Sequence, residues 1–364
     1  MRERKSQRAK PAADTARVAR GSSQEKGTIS IHFVRPVVDA VRRHGLDGAT
    51  VLHEAGIAPE LLAVPQARVS AAHYSALWRR VIEHLDDEFF GQDSRRMKAG
   101  SFALLTRSVV HCSTLAGALE RAARFLGVYL DDYAIEIDVV GDLAQLVIRP
   151  RRTAPAPSVF AHETLLVMVY GLACWLVGRR IPILRAEFAY PQPAHSAEYQ
   201  VLFTTSLHFE APATTIAFAA DVLELPVVQS ERSAKEFLRI APENILLRYK
   251  NTQSLSARIR RRLRDVLPNE LPELEAVAHE LHLAPATLRR RLKSEGQSYQ
   301  AIKDDLRRDL AISYLSATDM SIRDIALALG FLEASAFHRA FRKWTHASPG
   351  AYRRGEHPLS SPGG

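Results

Sequence analysis

The sequence predicts two domains of different class, an α+β N-terminal domain followed by an all-α domain with two helix-turn-helix units joined by a long helix. Three observations predict this. Apolar residues recur at helical spacing up to about Leu130, alternate with a period of two between Tyr133 and Ile148, and later return to helical spacing. The stretch Ile325 to Lys343 reads as helix, tight turn, helix, and a diverged copy lies 48 residues upstream at Val277 to Lys293. Charge is also uneven: residues 29–254 hold 23 basic and 24 acidic side chains, whereas 255–354 hold 18 and 12.

At 364 residues the chain exceeds one ordinary domain of about 100 to 200, and its 46% hydrophobic content allows a sizeable core. The net charge of +9 raises nucleic acid as a partner. A neutral body joined to a basic module suits a sensor coupled to a DNA binder, and a solvated surface accounts for charge equally well.

Residues 1–28 carry eight basic and three acidic side chains and no apolar signal core, so a disordered basic tail is expected. In the body, 29–230, Val34, Val37, Val38 and Val41 mark a first helix stopped by Gly45, Val51, Leu52 and Ala55 a short second before Gly56, and Tyr74, Leu77, Trp78, Val81 and Ile82 a third. Ala118, Leu119, Ala122, Phe125 and Leu126 mark another over Leu115 to Leu130. Tyr133 to Val140 and Ala144 to Ile148, joined through Gly141-Asp142, read as a hairpin. Further strands are expected at Leu184 to Tyr190 and Thr214 to Phe218. The apolar run Thr164 to Gly178 is shorter than the roughly 20 residues of a spanning helix and reads as a buried helix, with no membrane partner. Cys112 and Cys174 are too far apart for a local metal or redox motif and point to a reducing cytoplasm.

Residues 231–254 read as a connecting helix, Glu231 to Tyr249, and a polar linker. A basic helix, Leu255 to Val266, opens the second domain, 255–354. Its arginines suit a solvated face or phosphate contact. Residues 355–364 are expected to be a tail.

In the second helix-turn-helix, Gly330 takes the turn, and Phe337 and Phe341 face inward at i, i+4. Ser335, His338, Arg339 and Arg342 then fall on the outward face, where a helix-turn-helix enters the major groove. In the first unit Pro285 suits the opening of a helix that Gly296 ends. With Leu288 and Leu292 inward, Ala286, Arg289, Arg290 and Lys293 face outward. Arg289 and Arg290 can each make bidentate contacts with guanine or bind phosphates without reading sequence, and base contact is expected of at least one. Between the units Ile302, Leu306, Leu310 and Tyr314 mark a helix of about 25 Å, able to hold two recognition helices in successive major-groove segments roughly 34 Å apart.

Gly330-Phe331, Phe337, Arg339, Phe341 and the closing Ser348-Pro349-Gly350-Ala351-Tyr352-Arg353, with Leu288, Arg290, Gly296, Arg307, Ala311 and Leu315, closely resemble the AraC/XylS family of bacterial transcription regulators. The resemblance implies base contact from Ala286, Arg289 and Arg290 in the first unit and from Ala334, Ser335, Ala336 and Arg339 in the second. His282 and His346 stand where the family commonly has glycine, and Ala284 where it commonly has a serine cap. Residues 29–230, through Val51 to Gly56, Ser113-Thr114-Leu115 with Ala118-Leu119, Tyr199 and Phe209, resemble the arabinose-binding-like sensor domain of the branch that includes regulators of ornithine and arginine use. That implies a small-molecule effector, whose pocket residues are not carried over.

The expectation is a cytoplasmic, effector-responsive activator that binds double-stranded DNA and RNA polymerase, with a homodimer left open and no cofactor. Two alternatives stand beside it: an effector-independent nucleoid-type or silencing DNA binder, and an enzyme domain fused to a DNA-binding module. His111-Cys112-Ser113 is the nearest approach to a nucleophile beside a base, but chain neighbours do not generally face one another. Two cysteines cannot build a four-cysteine zinc site, and neither GxxxxGK[ST] nor HExxH occurs, so no catalytic or metal residue is assigned.

Overall fold

The computed structural model describes residues 28–64, 67–151, 158–241, 245, 255–294, 297–345 and 347–354. The expected basic tail, most of the linker, Gly296, His346 and the C-terminal tail lie outside them.

The chain opens with a short strand, β1 (Thr28–Ser30), running into helix α1 (Ile31–Arg43), whose first turn is capped by Ser30. Gly45 stops α1 at φ 76°. Helix α2 (Gly48–Glu54) is capped by Asp47, which accepts from Ala49 and Thr50. Strand β2 (Arg68–Ser70) pairs antiparallel with β1 and leads into α3 (Ala71–Leu85). The two strands are three residues each, too short for an alternating pattern to announce them. Helix α4 (Ser101–Val109), also unexpected, precedes α5 (Leu115–Tyr129).

The hairpin forms as β3 (Tyr133–Val140) and β4 (Leu143–Pro150), in register from Tyr133 with Pro150 to Val140 with Leu143. Gly141 turns it at φ 59°. Helix α6 (Val159–Leu176) follows and is buried nearly all round, which makes it a core helix. Then come β5 (Arg185–Glu187), α7 (Ala197–Leu202), β6 (Leu207–His208) and β7 (Thr214–Ala219). Among the described residues the sheet order is β3-β4-β7-β5-β6, with only β5 and β6 parallel. The strand expected over Leu184 to Tyr190 is reduced to three residues.

Helix α8 (Glu231–Ile240) is shorter than the expected Glu231 to Tyr249. Ala241 is extended at φ −60°, ψ 144°, as the residue before Pro242 must be to avoid the proline ring.

The second domain is all helix: α9 (Leu255–Val266), α10 (Leu274–Glu280), α11 (Pro285–Ser294), α12 (Tyr299–Ala317), α13 (Ile322–Ala328), α14 (Ala334–Thr345) and α15 (Pro349–Arg354). Buried apolar side chains gather into two clusters. One fills the space between the five-stranded sheet, α4 to α6 and α8. The other joins β1, α1 to α3 and β2 to α9 through α15, because β1 and β2 pack on α12.

Candidate nucleic-acid interface and the junction behind it

Each helix-turn-helix is built around a turn with left-handed backbone. In the first, His282 between α10 and α11 has φ 56°, a conformation that histidine tolerates better than most residues. In the second, Gly330 has φ 75°, and a Cβ there would stand 3.2 Å from the Asn269 carbonyl oxygen and 3.3 Å from that of Pro268. Glycine is therefore required twice over, for its torsion and for its closeness to a neighbouring backbone. Four residues separate α10 from α11 and five separate α13 from α14, the one-residue difference visible in the repeat.

Leu288 and Leu292 of α11 and Phe337 and Phe341 of α14 are fully buried. That orientation sends Ala286, Arg289, Arg290 and Lys293, and on the second helix Ser335, His338, Arg339 and Arg342, to the exposed side. Ala334 and Ala336 are half-buried. The outward residues are not equally free. Arg289 pairs with Glu275 of α10 at 2.8 Å, and Ser335 donates to Glu333 at 3.0 Å. Arg290, Lys293, Arg339 and Arg342 have no ion-pair partner among the described residues. The basic helix α9 turns Ile259 and Leu263 inward and ties two of its arginines internally, Arg260 to Asp309 and Arg262 to Glu280. Those two are structural links.

Helix α12 holds the units together. Leu306, Ala311 and Ile312 are all fully buried although they lie on different sides, since α12 packs against α9, β2 and the second unit at once. Arg307 donates from Nε to the Leu329 carbonyl at 3.2 Å and lies 4.9 Å from the centre of the Phe331 ring. It thus satisfies a carbonyl at the end of α13 and stacks on the residue after Gly330.

The most buried charge of α12 is Asp309. Its Oδ2 accepts from Arg260 at 2.6 Å, and Arg308 and Arg68 stand at 3.6 and 3.8 Å from Oδ1. Thr28 Oγ1 donates to Oδ1 at 2.5 Å. Burial alone pushes the Asp309 carboxyl up. Arg260, Arg308 and Arg68, with the Thr28 hydrogen bond, outweigh burial and hold it well below the usual carboxylate range. Arg68 of β2 reaches both ways, donating from Nη1 and Nη2 to Glu198 of α7 and from Nε to Thr28 Oγ1 at 2.7 Å. Tyr352 of α15 donates to the Arg68 carbonyl. Neither Arg68 nor Asp309 carries a motif, and the links from Arg68 to Glu198 and from Thr28 and Arg68 to Asp309 span more than 100 residues, so the sequence held no signal for this cluster.

Behind it is a cavity of about 610 Å³ of space not filled by atoms, counting its mouth, and lined mostly by apolar groups. Thr28 and Ser30 of β1, Phe33 of α1, Tyr74 and Trp78 of α3, Glu163 and Thr164 of α6, and Glu198 and Tyr199 of α7 line it. A mostly apolar hollow with a few polar groups suits a small molecule. Thr28 and Glu198 therefore belong to both the cavity wall and the cluster around Arg68 and Asp309.

Residues 45–227 match the family described as the arabinose-binding domain of AraC transcription regulators, N-terminal, and residues 277–355 match a helix-turn-helix domain family. The chain is 31% identical to the ornithine utilization regulator of Pseudomonas aeruginosa, covering 89% of this chain and 96% of that one. It is 26% identical to the transcriptional regulator VirS of Mycobacterium tuberculosis, over 86% and 93%. The regulator VqsM of Pseudomonas aeruginosa is 30% identical over 52% of this chain and 58% of its own.

Proposed function

The chain belongs to the AraC family of transcription regulators, and from that premise we propose that it reads two promoter half-sites with α11 and α14 and activates transcription in response to a small molecule held in the junction cavity. The observation that carries the reading is the pair of helices whose apolar residues are fully buried on one side while Arg290, Lys293, Arg339 and Arg342 are exposed on the other. Arg290 and Arg339 are the base readers, each suited to a bidentate contact with guanine. Ala286, Ala334 and Ala336 make room for thymine methyls, and Lys293, His338 and Arg342 hold phosphates. Arg289 serves in base contact once it leaves Glu275, and Ser335 once it turns from Glu333.

Both units sit on α12, whose 19 residues span about 28 Å, so one polypeptide can present two readers to one face of a duplex. Dimerisation through the N-terminal domain, contact with RNA polymerase and action in the cytoplasm complete the proposal. The response to an effector is supported by the shared membership of Thr28 and Glu198, which line the cavity and reach Asp309 directly or through Arg68. A ligand that favours a different arrangement of those two side chains shifts the hold of β1 and β2 on α12.

The test is a titration of the full-length protein against promoter fragments and random duplexes at one fixed salt concentration. Specific fragments should bind at least tenfold more tightly. Equal affinity for both would sink the reading.

A further inference from the structure

Glu163, on the all-buried helix α6, is 4% exposed and lies in the cavity wall. Its Oε1 is held twice, by the Tyr199 hydroxyl at 2.5 Å and by His195 Nε2 at 2.7 Å. Its Oε2 takes no hydrogen bond among the described residues. A buried carboxylate with a whole oxygen left over is costly unless something pairs with it.

The charges around the cavity decide what fits. The second carboxylate in the wall, Glu198, is already neutralised by both terminal nitrogens of Arg68. No free guanidinium or ammonium faces Glu163 among the described residues, and its basic neighbours are two histidines, His195 on Oε1 at 2.7 Å and His32, stacked on His195 at 5.1 Å. Apart from the hydroxyls of Thr28 and Ser30 the rest of the wall is mostly aromatic and aliphatic, with Phe33, Tyr74, Trp78 and Phe160. Such rings accept both an apolar body and the methylenes next to a cation. An anionic ligand would face two carboxylates and gain no free partner.

We infer that this cavity takes a small molecule with an apolar body and one ammonium or guanidinium head, and that the head seats on Glu163 Oε2. The inference rests on the reading of the N-terminal domain as a ligand sensor and names the chemical class that it senses. The residues divide the work. Glu163 selects charge, Tyr199 and His195 hold the carboxylate in place through Oε1, and the aromatic wall selects the body.

The experiment is a thermal-shift titration of the full-length protein with hexylamine and phenethylamine, against hexanol and hexanoate at the same ionic strength. A ligand that binds only the folded state raises the melting temperature as its concentration passes Kd. Both amines should raise it by about 2 °C or more at millimolar concentration, while the alcohol and the carboxylate leave it unchanged. Glu163→Gln, which keeps the hydrogen bonds to Oε1, should weaken the amine response at least tenfold. Stabilisation by hexanoate, or an amine response unchanged in Glu163→Gln, overturns the inference. If that variant does not fold, the comparison of amine with isosteric alcohol on the native protein decides alone, and an equal response to both overturns it. DNA titrations on the same preparation separate the two claims. Specific DNA binding without an amine response removes this inference and leaves the regulator intact, whereas loss of DNA specificity removes the regulator whatever the amines do.

Discussion

Thr28 and Asp309 lie 281 residues apart in the chain, and the Thr28 hydroxyl donates to the Asp309 carboxylate at 2.5 Å. The same hydroxyl accepts from Arg68, so one small side chain joins the first strand of the sensor to the helix that carries both DNA-reading units. Because Thr28 also lines the cavity, a single hydrogen bond joins the cavity wall to α12.

Removing Asp309 should be expensive. Asp309→Ala leaves Arg260 without its carboxylate and strips the shared negative charge from beside Arg308 and Arg68, which keep Asp305 and Glu198, and loss of one partner from such a cluster costs about 3–5 kcal/mol. Urea unfolding of the variant should show that loss. Because the folded carboxyl is held low, its contribution is present above the unfolded pKa near 4 and disappears as pH falls through the lower folded value. Asp309→Asn should accordingly flatten the acid limb of the stability curve.

Arg68→Gln should loosen the junction without disturbing either reading face. Hydrogen exchange measured by mass spectrometry should then speed up in the Tyr299–Ala317 helix and in β1, and remain unchanged in the β3–β4 hairpin. Uniform acceleration through the whole chain would mean that Arg68 supports global folding instead.

Arg290→Ala and Arg339→Ala should each weaken specific DNA binding by about 1–3 kcal/mol and non-specific binding much less. Glu275→Gln should do the opposite at modest scale. It releases Arg289 from its 2.8 Å pair and should tighten binding to any duplex, with a steeper salt dependence. Fluorescence anisotropy across a salt series reads both.

Gly330→Ala should damage the second unit more than a surface substitution can. The new Cβ would meet two backbone carbonyl oxygens at 3.2 and 3.3 Å in a left-handed conformation, so a loss of about 1–3 kcal/mol is expected. Thermal unfolding should show it, together with weaker binding to the half-site read by α14.

His162 supplies a pH dependence. It is fully buried, with Nδ1 bonded to Thr214 at 2.6 Å and Nε2 without a partner, and burial pushes its pKa down to about 4. The folded state therefore resists a proton that the unfolded chain accepts near 6.5. Stability should be full above that value and fall as pH drops towards 4, by on the order of 3 kcal/mol. Chemical unfolding of His162→Gln across this window should show a smaller slope.

The periodic elements were legible in the chain itself. The paired phenylalanines and leucines of α11 and α14, the Gly330 turn, the hairpin and the buried α6 all follow from local spacing, because burying one face imposes a period on the residues that cover it. The same logic oriented Arg290 and Arg339 outward. It could not show that Glu275 holds Arg289, that α8 stops where Ala241 meets Pro242, or that β1 and β2 exist at all. Least legible was the junction. Thr28, Arg68, Glu198 and Asp309 come from four separate stretches, and no period or motif links them. Their worth arises only when folding removes water from around them, turning ordinary surface residue types into a buried ionic cluster between sensor and reader. Periodicity along the chain determined the elements and the direction of each face. Only the packing of distant segments decided which charges meet.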